Sequence, residues 1–132
     1  MYEYTKIETP FKRDENGSKK LLEGVFRNEL VEFLDGLNCN WYGTEKVDGT
    51  NVRVMWNGHD VEFSGRTDNS QLPSHLWKKL DEIFGSNEAE ELFEQKFGNK
   101  RVILYGEGYG AKIQKGGGDY IKDGCDFILF DV

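Results

Sequence analysis

Two cysteines and two prolines in 132 residues rule out several classes at once. Cys39 and Cys125 fit neither a disulfide framework nor a zinc-ligand spacing, so they read as free thiols of a cytoplasmic protein. No apolar run is long enough to span a bilayer, and the polar N-terminus is no signal peptide, which leaves the membrane out as a partner. Positive charge is also short: 17 Lys and Arg stand against 24 Asp and Glu, a net charge of -7. That balance speaks against a broad basic surface gripping nucleic acid without regard to sequence. The local pairs Lys19-Lys20, Lys78-Lys79 and Lys100-Arg101 read as solvated faces. An acidic chain still accommodates a nucleotide through a focused local field. Aromatic residues are plentiful, with nine Phe, six Tyr and three Trp, and 37% of the residues are hydrophobic. The chain is therefore globular, and its length allows one domain at most.

The hydrophobic pattern mixes both periods. Residues 1–20 read as extended chain with a breaker at Asp14-Glu15-Asn16-Gly17-Ser18. Leu21, Leu22, Phe26, Leu30, Phe33, Leu34 and Leu37 recur at helical spacing, predicting an amphipathic helix over 20–36, ended by Gly36 and Asn38. Strands are expected at 40–47, 51–57 and 60–65, joined by turns at Asp48-Gly49 and Asn57-Gly58. Ser74 is expected to cap a helix carrying Leu76, Trp77, Leu80, Ile83 and Phe84, with a second helix over 87–97 that opens on acidic residues. A strand runs from Lys100 to Gly106, a glycine-rich loop covers 111–124, and Phe127-Ile128-Leu129-Phe130 forms a last strand. No internal repeat is present. The order predicts an α+β fold: a mostly antiparallel sheet with flanking helices.

The segment Thr44-Glu45-Lys46-Val47-Asp48-Gly49-Thr50-Asn51 carries the most chemistry. Asp-Gly between Trp41-Tyr42 and Val52, Val54, Trp56 is a strong hairpin signal, and that alone explains Asp48 and Gly49. It leaves unexplained a lysine two residues earlier, on the pleat face of Asp48. Further along, Ser64-Gly65-Arg66-Thr67 ends a strand; Arg66 is either a solvated turn residue or a fork for phosphate or ribose. Leu104-Tyr105-Gly106-Glu107-Gly108-Tyr109-Gly110 imitates a dinucleotide fingerprint, but no helix follows to aim its N-terminus at a pyrophosphate. Glu107 is better read as a ligand to a sugar hydroxyl or a metal-bound water, with glycines that admit a ligand to the backbone. In Asp126-Phe127-Ile128-Leu129-Phe130-Asp131-Val132, most residues are core strand; Phe127 or Phe130 can also offer a ring face to a base. The lysines and glycines of 111–124 either cradle phosphates or form a mobile loop.

Lys-x-Asp-Gly, Ser-Gly-Arg, Gly-Glu-Gly and Phe-Asp-Val, in that order, resemble the adenylyltransferase domain of ATP-dependent RNA ligases, particularly phage-like members of the type-2 class. The resemblance runs from about residue 40 to the C-terminus, and less clearly through Lys6-Ile7-Glu8-Thr9-Pro10-Phe11. It implies a partial nucleotidyltransferase (ATP-grasp-like ligase) domain that joins RNA ends, with ATP and Mg²⁺ as cofactors. It implies Lys46 as the nucleophile that takes AMP, and Glu45 as a residue that places the adenine through its backbone. Asp48, Gly49 and Thr50 would shape the pocket around ribose and phosphate, with Asn51 closing the motif. Arg66 would contact ribose or the RNA end, Glu107 a ribose hydroxyl, and Phe130 the adenine, with Asp131 beside it. No metal ligand is assigned by it. Type-2 members often carry histidine where this chain has Asp48, the form shared with DNA ligases and capping enzymes. DNA ends, and a capping-type guanylyltransferase, therefore stay open.

The family places two more elements downstream, a Glu-Gly carboxylate strand and a Lys-x-Lys strand. Residues 1–132 contain no Lys-x-Lys after Lys46, and Glu23-Gly24-Val25, which copies the carboxylate motif, precedes Lys46 in a helical pattern. The chain is expected to be the N-terminal portion of the domain, to adenylate poorly alone, and to leave a sheet edge open to self-association. The contrasting reading is a non-catalytic module that kept the pocket and binds nucleotide, RNA or a protein.

Overall fold

The computed structural model describes residues 3–37, 40 and 42–132. The thiol of Cys39, the helix stop at Asn38 and the strand residue Trp41 lie outside the described residues. The chain divides into two compact units, Thr5–Glu45 and Lys46–Val132, the latter also taking in Tyr4.

In the first unit, β1 (Phe11–Arg13) pairs antiparallel with β2 (Leu21–Phe26), and Phe11 and Phe26 meet at 5.2 Å between ring centroids. Arg27 donates from Nε to the Thr9 carbonyl at 3.0 Å and pairs with Glu8. The helix expected over 20–36 is shorter: α1 spans Glu29–Gly36. Two residues divide the segment. Gly24 takes φ 77°, a left-handed conformation inside a strand, so Glu23-Gly24-Val25 is not helical. Asn28 then caps α1, its side chain accepting from the Val31 N–H at 3.0 Å.

The second unit is a four-stranded antiparallel sheet in the order β4-β3-β5-β6, with β3 (Thr50–Trp56), β4 (Val61–Ser64), β5 (Val102–Gly110) and β6 (Cys125–Asp131). The β3–β4 hairpin turns at Asn57-Gly58 as expected, with Gly58 at φ 107° and the Asn57 side chain accepting from the N–H groups of His59 and Asp60, each at 2.9 Å. The expected hairpin at Asp48-Gly49 does not form: the described residues of 40–47 carry no strand. β4 and β5 already hold both edges of β3, which leaves no ladder for an earlier strand to join.

Alternation sorts the sheet into two faces. Val52, Val54, Trp56 and Leu104 point into the core with Leu76 and Leu80 from α2 (Ser74–Phe84) and Phe93 from α3 (Asn87–Phe97). Complete burial of a Val or Leu contributes about 1.5–3 kcal/mol, so this cluster anchors the unit. Trp56 stacks on Phe93 at 5.7 Å and donates from Nε1 to the Gly98 carbonyl at 2.8 Å. Ser74 is the first helical residue of α2 rather than its cap; Pro73 holds that position and makes no side-chain cap bond. Ser86 caps α3, accepting from the Ala89 N–H at 3.2 Å.

β5 runs past Gly106 to Gly110, because its glycines fill packing positions. A Cβ at Gly106 would enter the Phe127 ring, and one at Gly108 would meet the end of the Leu76 side chain. Tyr105, Glu107 and Tyr109 alternate with them onto the opposite face. The 111–124 segment is not wholly loop either: it holds the one-turn helix α4 (Gly117–Tyr120). Among the described residues, no helix is long and apolar enough to cross a membrane.

Candidate active site

The face of the sheet away from the core carries Asn51 and Arg53 of β3 opposite Glu107 and Tyr105 of β5. The segment leading into β3 brings Lys46 and Asp48 to the same end, both exposed. Gly49 lies against β5 so closely that a Cβ there would strike the Gly108 carbonyl and come within 2.9 Å of Glu107 Cγ. Its N–H donates to Glu107 Oε1 at 3.2 Å. Its carbonyl accepts from Gln114 Nε2 at 3.0 Å, and the Asp48 N–H donates to the Tyr120 hydroxyl at 3.2 Å.

Three groups converge on the Glu107 carboxyl. Burial pushes it above the ordinary carboxylate value, and the nearby negative charge of Asp48 adds to the rise. The Lys46 ammonium and the Gly49 N–H oppose that rise. A primary amine, two carboxylates and a backbone N–H thus share one electrostatic neighbourhood. Beside them the Asn51 Oδ1 is buried and has no hydrogen-bond donor among the described residues. An orphaned acceptor at the start of β3 fits a polar ligand that donates to it. Among the described residues, no group of three His, Cys, Asp or Glu could hold a metal.

Lys46, Asp48, Gly49 and Glu107 are brought together directly, while Thr50 and Asn51 pair with Gly108 and Glu107 in the ladder. Arg66 is exposed on the turn after β4. Ser64 pairs with Arg53, so Arg66 leaves the sheet at the end of β3 that carries Asn51. Phe130 lies further along: its ring meets Tyr4 edge-on at 5.1 Å, and Tyr4 also lies 5.0 Å from Tyr105, two residues before Glu107 on the same face. The Tyr4 phenol is raised by its hydrogen bond to Asp131. Glu45 is exposed and belongs to the other unit.

Three contributors escape sequence reasoning. Gln114 and Tyr120 sit in a polar, glycine-rich stretch with no periodicity to mark them. Arg53 is fully buried; it donates to the Gly65 carbonyl at 2.8 Å, Ser64 Oγ at 2.7 Å and Asp68 Oδ1 at 3.0 Å, fixing the turn that presents Arg66. Its one signal is a charged residue inside the alternation Val52-Arg53-Val54, on the face away from the core.

A family model described as RNA ligase matches residues 40–132. No curated protein and no solved structure matches the chain.

Proposed function

The chain belongs to the RNA ligase family, and on that footing we propose that it forms the N-terminal portion of an adenylyltransferase domain, in which Lys46 carries AMP during the joining of RNA ends. The observation that carries this reading is the convergence at Glu107: its half-buried carboxyl accepts from Gly49 and lies in the field of Lys46. In the proposed step the neutral Lys46 Nζ attacks the α-phosphorus of ATP. An N–P bond forms, the bond to the bridging oxygen breaks, and pyrophosphate leaves. The amine must shed its proton, since an ammonium has no lone pair to donate. In the second step a 5′-phosphate end attacks the adenylate phosphorus, the N–P bond to Lys46 breaks, and the AMP passes to that end; in the third a 3′-hydroxyl attacks the 5′-phosphorus, the new phosphodiester forms, and AMP leaves.

The chain's own residues supply the mount. Gly49 lets the segment lie against β5, and Glu107 faces the ligand with a carboxyl suited to a ribose hydroxyl. Asn51 offers an acceptor that still lacks a donor. Arg66 is a free-standing fork for a phosphate, and Phe130 a ring for the base. Mg²⁺, held mainly by the triphosphate oxygens, would neutralise charge on the leaving pyrophosphate. Asp48 stands where type-2 ligases often have histidine, which keeps DNA ends as an alternative substrate. β6, one of the two edges of the sheet among the described residues, exposes Ile128, Leu129 and Phe130, a surface suited to a further strand or to self-association.

The test is transfer of AMP from ATP in the presence of Mg²⁺, read by intact mass and by peptide mapping. It is run on this chain and on a protein extended through the family's Glu-Gly and Lys-x-Lys strands. The extended protein is expected to take one AMP on Lys46, and residues 1–132 alone a small fraction of it. A preference for GTP would move the reading to a capping-type guanylyltransferase. Nucleotide binding with no covalent adduct in the extended protein would favour a non-catalytic module.

A further inference from the structure

We infer that Tyr120 is a positioning residue for the Lys46 segment: from the one-turn helix α4, its hydroxyl holds the backbone that carries the amine. The inference rests on the adenylyl-transfer reading above. Residues 42–48 form neither helix nor strand, so no ladder fixes their backbone. Between Lys46 and the start of β3, side chains do that work instead. The Asp48 N–H is held by Tyr120 at 3.2 Å, the Gly49 N–H by Glu107 at 3.2 Å and the Gly49 carbonyl by Gln114 at 3.0 Å. Of these three bonds, that of Tyr120 lies nearest to Lys46 along the chain.

Tyr120 is itself fixed to the sheet. Its ring meets Tyr109 edge-on at 5.9 Å and 87°. Tyr109 lies on β5, two residues from Glu107 and on the same face. α4 is seated by Gly117, where a Cβ would collide with the Gly110 carbonyl, and the Ile121 N–H closes the turn on the Gly117 carbonyl at 3.3 Å. The phenol thus ties an irregular segment to a regular strand. A lysine amine reaches its target through four rotatable carbons, so its Cα position sets the attack geometry. A displacement of about 1 Å can slow a positioned reaction on the order of 10²-fold. Tyr120 acts through Asp48, without contact with the atoms transferred.

Tyr120→Phe removes the acceptor and keeps the ring against Tyr109. In the 132-residue chain, NMR amide exchange is expected to speed up at Asp48 and stay unchanged at Gly49. In the extended protein, single-turnover AMP transfer to Lys46 at saturating ATP is expected to fall about three- to ten-fold, the span of one net hydrogen bond. The half-saturating ATP concentration and the unfolding midpoint should not move. Wild-type exchange at Asp48, wild-type transfer, or a loss confined to ATP affinity would overturn the role of Tyr120. Failure of the wild-type extended protein to take AMP on Lys46, with faster Asp48 exchange in the variant, would leave the brace standing and remove its catalytic purpose.

Discussion

Gly49→Ala probes the closest approach in the candidate site. Gly49 does not need a left-handed backbone; it is required because β5 leaves no room for a side chain. The added methyl would strike the Gly108 carbonyl and lie 2.9 Å from Glu107 Cγ and 3.0 Å from the Gly108 carbonyl carbon. Two of these three atoms are backbone in the β3–β5 ladder, so they cannot rotate away. Overpacking of this kind costs about 1–3 kcal/mol. Relief by lifting Gly49 off β5 breaks its N–H bond to a carboxylate, a contribution of about 1.5–3 kcal/mol. The two routes compete rather than add, so the expected loss is that of the cheaper one, about 1–3 kcal/mol. With a denaturant slope of about 1–3 kcal/mol per molar, the urea midpoint should drop by about 1 M. Urea unfolding followed by tryptophan fluorescence measures it. Gly118→Ala serves as the control, since nothing lies within 4 Å of its Cβ position. Equal midpoints for the two variants, within about 0.3 M, would refute the packing argument.

Two pH dependences follow from the charged groups. Burial raises the Glu107 carboxyl above its ordinary 4.5, so its contribution to stability is fullest below that value and is lost as pH rises through the raised one. Glu107→Gln should therefore gain stability relative to the wild type between about pH 4 and pH 7; a difference that does not vary with pH would contradict this. The hydrogen bond from Arg53 lowers the Asp68 carboxyl below 3.8, so its contribution is present above that value and is lost as pH falls through the lowered one. Asp68→Asn should accordingly be less stable than the wild type at pH 7 and should converge with it in acid, as urea titrations at the two pH values would report.

Local signals carried much of this fold. Val52, Val54 and Trp56 alternate, and the core face of β3 follows from them. Asn57-Gly58 marked its turn through the asparagine side chain that closes it. Two of the failures share a cause, which is that the deciding partner lies far away in sequence. Asp48-Gly49 has the composition of a hairpin, but the edge it would need is taken by β5, more than fifty residues later. The glycines of 106–110 punctuate the chain locally and read as a strand end, whereas Leu76 and Phe127 require them within the strand. In 21–26 the apolar spacing suits a helix, and Gly24 with Asn28 decides otherwise. At the site, Lys46, Asp48, Gly49 and Glu107 were legible because their residue types are chemically distinctive. Gln114 and Tyr120 were not, because a glutamine and a tyrosine acquire meaning only from the backbone atoms they meet.

The proposed chemistry turns on one amine. Mass spectrometry of Lys46-containing peptides, after the extended protein has met ATP and Mg²⁺, tests it most directly. The mass of one AMP is expected on Lys46, released by acid and absent from Lys46→Ala. AMP retained by Lys46→Ala, or found on another residue of the wild type, would contradict it.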